Sequence, residues 1–347
     1  MLRTVPRRLL CGRGTSQAPF SARAWYQMLL KEGGSRKPSA DSSGKFNILG
    51  PVGSLGRQDL VKLLEASVVH RDGVLVAITK PPGLPVIGKP GDVTLVSLLP
   101  DLSQKLGFSQ DVQVIKAPGK ESSGLVLLSD CPSTVQHFQE FYVRCRKRRH
   151  PAATYCAVTT RLPADSEGEI YTGLKLIYRE DSELVVPVAS PSRGSLQRKE
   201  VKNTLTRYKV LDSQDNCALV QLQPLTAFPY QLLVHLTLIL SPVLGDHVYS
   251  SRVGTVLGEP FLLPAESTPP RTQVLDEALL RRLHLQQPHV HRLPLHLHLH
   301  QLLLPAASSS SSVLTAPLPP YFLQTLCLLG LSLPTKQTTQ RHSKHLP

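Results

Sequence analysis

Four segments carry residue types whose spacing could support chemistry. Lys80-Pro81-Pro82-Gly83-Leu84-Pro85-Val86 places an ammonium at the entrance to a turn stiffened by three prolines and a glycine. Lys116 to Gly124 (K-A-P-G-K-E-S-S-G) is a polar, glycine-containing loop feeding the apolar run L-V-L-L, the kind of place from which ligand-facing groups are presented. Arg144, Arg146, Lys147, Arg148 and Arg149, followed by His150, put five positive charges into six residues. Such a run suits a helix C-terminus and could contact phosphates, or it could simply be a solvated face. A fourth segment, Leu293 to Leu304, alternates His296, His298 and His300 with leucines, which reads as a strand with three imidazoles on one face. Imidazole is a zinc ligand. Same-face neighbours along a strand lie about 7 Å apart, however, so one ion could reach all three only across a strong bend; the alternative is a strand whose histidines meet a polar layer or solvent. No Walker loop, G-x-G-x-x-G, H-E-x-x-H or G-x-S-x-G is present, which leaves nucleotide hydrolysis, dinucleotide redox chemistry and serine hydrolysis without support.

The elements that must position these residues are mostly strands. Short β-branched or leucine-rich runs at Val74 to Thr79, Gly124 to Ser129, Tyr155 to Thr159, Leu205 to Leu211 and Ala218 to Leu222 are separated by turn residues. Helical periodicity appears at Ser133 to Arg146, with Val135, Phe138, Tyr142 and Cys145 on one face, and at Val274 to Leu285, with Leu275, Ala278, Leu279 and Arg282 in step. Runs of strands with occasional helices predict an α+β sheet protein.

Length and composition bound the rest. At 347 residues and 41% hydrophobic the chain can bury a sizeable core, and the six cysteines form no C-x-x-C pair or disulfide-like spacing, which suits a reducing compartment. The most apolar stretch, Gln231 to Gly245, contains His235 and is interrupted by Pro242, so no membrane span is expected. The formal charge is +14. Eight of the basic residues fall within the first 37, against Glu32 alone, and the first 31 contain no acid; this Arg-rich, Ser- and Thr-bearing composition reads as a mitochondrial transit peptide, with a basic nucleic-acid-binding arm as the alternative. Residues 32–45, rich in Gly, Ser and charge, read as a linker.

Taken in order, the segments resemble the RluA-type RNA pseudouridine synthases. Lys80 to Val86 resembles the family's N-K-P-x-G-L-x-V-H turn, and Lys116 to Gly124 falls where H-R-L-D-x-x-T-S-G is expected. Ala153 to Val158 (A-T-Y-C-A-V) is similar to K-x-Y-x-A-x-V, Thr226 to His235 sits at T-G-R-T-H-Q-I-R-V-H, and Ser241 to Tyr249 resembles H-P-I-V-G-D-x-x-Y. The histidine strand and Ala316 to Pro319 match the C-terminal H-L-H and P-L-P segments. The resemblance implies a mixed, mainly antiparallel central sheet with flanking helices and a central cleft. It also implies isomerisation of uridine to pseudouridine with no metal and no cofactor. The nucleotide is flipped out of its stack, a carboxylate acts at the ribose, and a tyrosine, here Tyr155, lies against the base.

This chain departs from the family pattern at the chemistry itself. The family's aspartate position is Gly119, the two residues before its leucine become Lys116 and Ala117, and the arginine of Q-I-R-V-H is Leu233. The two losses are coherent, because a buried arginine without its carboxylate would cost several kcal/mol. T-G-R-T-H has become Thr226-Ala227-Phe228-Pro229-Tyr230. Glu121 and Asp111 are the substitute acids nearby, each needing a local rearrangement, and Asp246 of the G-D pair reads as structural.

The expectations are a transit peptide over 1–31, a linker over 32–45, a pseudouridine-synthase-type domain over 46–333 and a polar tail over 334–347. No S4-type domain fits before Val68. RNA contact, to mitochondrial mRNA or rRNA in the matrix and alongside ribonucleoprotein partners, then rests on Lys80, Lys89, Lys116, Lys120, Arg144, Arg146, Lys147, Arg148 and Arg149. The alternative is a catalytically impaired relative that binds or scaffolds mitochondrial RNA.

Overall fold

The computed structural model describes residues 55–334 apart from 180–181, 266–267 and 306–311. The expected transit peptide and linker, the domain start at Phe46, most of the serine run Ser308 to Ser312 and the tail past Pro334 lie outside the described residues.

One mixed, mainly antiparallel sheet of eleven strands organises the chain. Its first half contains β1 (Val68–Asp72), β2 (Leu75–Lys80), β3 (Gln113–Lys116) and β4 (Ser123–Ser129), with helices α1 (Arg57–Ala66), α2 (Leu95–Leu106) and α3 (Pro132–Lys147). The second half is built from β5 (Ala153–Thr159), β6 (Glu167–Arg179), β7 (Ser182–Val188), β8 (Val201–Gln214) and β9 (Cys217–Pro224), with the short α4 (Arg193–Gln197) and α5 (Gln231–Leu238). After a hairpin of β10 (Val253–Val256) and β11 (Glu259–Leu262) come α6 (Glu277–Arg282), β12 (Leu297–Leu304), β13 (Ser312–Thr315) and α7 (Pro320–Leu328). The spatial order is β1-β2-β4-β12-β5-β9-β8-β6-β7, with β3 on β4 and β13 on β12.

Period-two alternation sorts the apolar strands between layers. Val76, Ile78, Val126 and Leu128 pack with α1 and α2, whereas Leu75, Ala77, Leu125 and Leu127 pack with Phe138 and Tyr142 of α3. In the second half Ala157, Val220 and Leu222 meet α5, and Cys156, Val158 and Leu219 meet α6 and α7. Covered on both faces, β2 and β4 are buried along their whole length, which is why they read as continuous apolar runs.

The halves join through a short parallel contact, His298 opposite Ser123 and Leu299 opposite Gly124. Gly124 has φ +126°, and a Cβ there would lie 2.4 Å from the Leu299 carbonyl oxygen, so this joint requires glycine. Beyond it β4 turns to β3 and β12 to β13.

The helix expected over Val274 to Leu285 is shorter. Asp276 caps it by accepting from the Leu279 N–H at 2.8 Å, Leu275 instead donates to the Gln287 side chain at 3.1 Å, and His284 at φ +54° ends it. Helix α2 carries a Thr94/Ser97 capping box and closes on Gly107 in the left-handed conformation. Among the described residues no helix is long and apolar enough to cross a membrane.

Candidate functional site

The loop between β3 and β4 is fastened from beneath by the proline turn. The Lys120 carbonyl accepts from the Gly83 N–H at 2.9 Å and from Lys80 Nζ at 2.9 Å. Lys80 also donates to the carbonyls of Pro81 and Leu84, each at 2.9 Å. Its side chain is fully buried, and burial pushes its pKa down to about 7 against the opposing pull of Glu121. Lys80, expected at a phosphate, therefore faces inward and serves the backbone; the cue was its place at the end of a strand buried on both faces. Lys89 is exposed but does not line the cleft.

A cleft of about 640 Å³ opens where the two half-sheets diverge, lined by loop residues Gly119 to Ser122, by Lys116, by Arg146 and His150, by Tyr155, and by Thr226 to Leu233. The resemblance aligned these segments across more than a hundred residues, and the fold brings them to one place. Gly119 has no heavy atom within 4 Å of where a Cβ would stand, so the aspartate position is empty space opening into the cleft. Leu233 is buried and lines the same cleft; both halves of the family's ion pair are missing together.

Among the described residues, the acids lining the cleft are Glu121 and Glu183. Glu121 pairs with Lys120 at 3.5 Å, both side chains more than half exposed, a contact of little energetic weight. Glu183 carries no motif and went unread in the sequence; the β6–β7 hairpin delivers it, with exposed Glu183 alternating against buried Leu184. Asp111, the other candidate, is exposed and lies outside the cleft.

Positive charge concentrates on the α3 side. Lys116 Nζ sits 5.9 Å from the centre of the Tyr142 ring, and its pKa is lowered first by burial and then by the neighbouring Arg146 charge. Arg144 pairs with Glu140 one helical turn away at 3.7 Å, while Lys147, Arg148 and Arg149 are exposed past the cleft edge. Tyr155 projects from β5; burial pushes its phenol up to about 12, so it stays neutral.

The far wall is apolar where the family pattern is polar. Tyr230 stands at φ +52° as the residue before α5, a left-handed conformation that costs a non-glycine residue about 1–3 kcal/mol. Its ring lies 5.7 Å from that of buried Tyr249, whose hydroxyl accepts from the Val185 N–H at 3.2 Å. Gln231 is buried and donates to the Leu205 carbonyl at 3.1 Å and to Thr206 Oγ1 at 2.9 Å. His235 sits 2.9 Å from Thr204 Oγ1 and is held neutral, its pKa pushed down to about 4 by burial. Gln231 and His235 thus bolt α5 to β8. Asp246 is likewise internal, Oδ1 accepting from the N–H groups of Val248 and Tyr249 at 2.9 Å each.

The histidine strand belongs to the joint between the halves. His296 Nε2 lies 2.8 Å from Thr325 Oγ1 and His298 Nδ1 lies 2.9 Å from Ser123 Oγ; both residues are fully buried, which replaces the solvent-facing alternative with a buried polar layer. Among the described residues no group of three or more His, Cys, Asp or Glu could hold a metal ion.

Comparison with known proteins agrees with this geometry. A family model described as RNA pseudouridylate synthase matches residues 74–238. The chain is 56% identical over 283 residues to a human protein named mitochondrial mRNA pseudouridine synthase RPUSD3, covering 81% of this chain and 80% of that protein. It is 52% identical over 329 residues to the bovine protein of the same name, covering 94% and 95%. The solved structure of human RNA pseudouridylate synthase domain containing 4 superposes with a TM-score of 0.64 at 30% identity, covering 80% of this chain and 98% of that one.

Proposed function

The chain belongs to the RNA pseudouridylate synthase family, and on that premise we propose that it isomerises uridine to pseudouridine in mitochondrial RNA, mRNA or rRNA, in support of mitochondrial translation. The observation that carries this reading is the convergence of the Lys116 to Ser122 loop, Tyr155 and the Thr226 to Leu233 segment on one cleft. A flipped uridine places its base against Tyr155, and its flanking phosphates meet Lys116, Lys120 and Arg146, with Arg144, Lys147, Arg148 and Arg149 extending the track along the strand.

The reaction breaks the bond from C1′ to N1, turns the uracil and closes a bond from C1′ to C5. The proton on C5 is lost and N1 gains one, so no oxidant or reductant is needed. With no side chain at Gly119, the carboxylate at the ribose is supplied by Glu121 or Glu183, the acids among the described residues that line the cleft.

The names of the relatives support placing the protein in the mitochondrion, and the acid-free, Arg-rich first 31 residues support import to the matrix, with the synthase-type domain following over 46–333. Association with mitochondrial ribonucleoproteins is part of the same proposal.

A second reading rests on Gly119 and Leu233: a relative that keeps the cleft and binds RNA without turnover. The test is an in vitro reaction of the full chain with mitochondrial RNA, read by pseudouridine mapping, beside Glu121→Gln and Glu183→Gln. Turnover that is abolished by one of these establishes the relocated acid; RNA binding with no pseudouridine favours the second reading.

A further inference from the structure

Tyr230 occupies a costly position with little return to the fold. Its backbone is in the left-handed region at φ +52° and ψ 13°, where Asn or Gly would sit without strain. The turn is nonetheless well made, since the Tyr230 carbonyl accepts from the Val234 N–H at 3.1 Å and the Phe228 carbonyl from the Gln231 N–H at 3.3 Å. The side chain remains 47% exposed and, among the described residues, its hydroxyl has no hydrogen-bond partner. What fixes the ring is Tyr249, 5.7 Å away, itself fully buried and anchored to β7 through the Val185 N–H. A rigid buried ring thus props a strained, half-open ring that lines the cleft shared with Tyr155.

We infer that Tyr230 is a second base-contacting ring, stacking on a nucleobase of the bound RNA strand; this rests on the uridine-binding reading of the cleft. An aromatic face suits any base, and cations of Lys116, Lys120 and Arg146 lining the same cleft supply the phosphate contacts that a single strand needs. The Thr226 to Tyr230 segment thus offers a stacking face where the family pattern T-G-R-T-H is polar. Backbone strain clusters at ligand-binding sites, and here it coincides with a ring that lines the cleft.

The test uses the full-length protein with a short oligouridylate and an abasic ribose-phosphate strand of equal length as probes. Tyr230→Asn removes the ring and accepts the left-handed backbone, so its melting temperature should equal or exceed that of the unaltered protein. Its affinity for oligouridylate should fall by about tenfold, within the range of one base stacked on one ring, while its affinity for the abasic strand stays unchanged. Tyr230→Phe should keep both affinities. Should the Asn variant melt early, Tyr230→Leu retains an apolar contact to Tyr249 without a stacking face and should show the same strand-selective loss. An equal loss on both strands, or no loss on either, overturns the inference. Failure of the unaltered protein to bind oligouridylate better than the abasic strand instead overturns the uridine-cleft reading on which it rests.

Discussion

The Lys80 ammonium donates to the Lys120 carbonyl at 2.9 Å, tying a turn forty residues upstream to the loop that carries Gly119. Lys80→Met keeps most of the stem but leaves the carbonyls of Pro81 and Leu84 without this donor, while the Gly83 N–H still serves Lys120. Unpaired buried acceptors cost about 1–3 kcal/mol each, partly offset by relief of burying a cation. Urea unfolding should show a net loss of stability, and amide exchange should speed up at Gly83. Because the charge faces inward, the salt dependence of RNA binding should not change; a shallower salt slope would return Lys80 to the RNA surface.

Gly119→Asp should be accepted without disturbance, since a Cβ there meets nothing within 4 Å; its unfolding free energy should change by about 0.5 kcal/mol or less, as at open surface sites. Leu233→Arg puts an unpaired charge at a buried position and should cost roughly 3–5 kcal/mol. In the double variant the new aspartate offers that arginine a partner, so part of the cost should return. Additive losses across the three variants would show that the two side chains do not meet. If chemistry is limited by the absent carboxylate, pseudouridine mapping should show Gly119→Asp forming product faster than the unaltered protein.

Much of this arrangement was legible in the sequence because the signals were local or ordered. The β2 and β4 runs, the α3 face of Val135, Phe138, Tyr142 and Cys145, and the α+β class follow from periodicity, and the order of the landmarks carries the family resemblance and its central cleft. What escaped depended on tertiary context. The direction of the Lys80 side chain follows from the carbonyls that surround it, and Glu183 enters the cleft through the path of a hairpin. The strain at Tyr230 is invisible without its φ. Helix α6 was overextended because Asp276 and His284, which end it, lie inside an otherwise regular apolar pattern.

The cationic track should be separable from stacking by salt. Arg146 lines the cleft, so Arg146→Ser should weaken binding to single-stranded RNA and lower the slope of log affinity against log salt by about 0.7 if one phosphate contact is lost. Lys89, exposed outside the cleft, should change the slope much less on Lys89→Ser. Equal effects from the two positions would mean that the RNA path does not follow the α3 side of the cleft.

Stability should fall on acidification. Burial pushes the pKa values of His235 and His296 down to about 4 and of His298 down to about 3, whereas in the unfolded chain each titrates near 6.5. Between pH 6.5 and 4 the unfolded state therefore binds more protons, and each histidine removes up to about 1.4 kcal/mol of stability per pH unit as pH falls. Asp246 opposes them, because burial raises its carboxyl to about 6, so over pH 6 to 3.8 the folded state holds the extra proton; the histidines outnumber it, His247 and His300 being lowered by burial as well. Urea unfolding at pH 7.5, 6 and 5 should show the midpoint falling, most steeply below 6.5. His298→Asn offers Ser123 an amide in place of Nδ1 and does not titrate, so it should lower stability at pH 7.5 yet flatten the acid dependence. A parent protein equally stable at pH 7.5 and 5 would mean that these histidines are not held neutral in the folded protein.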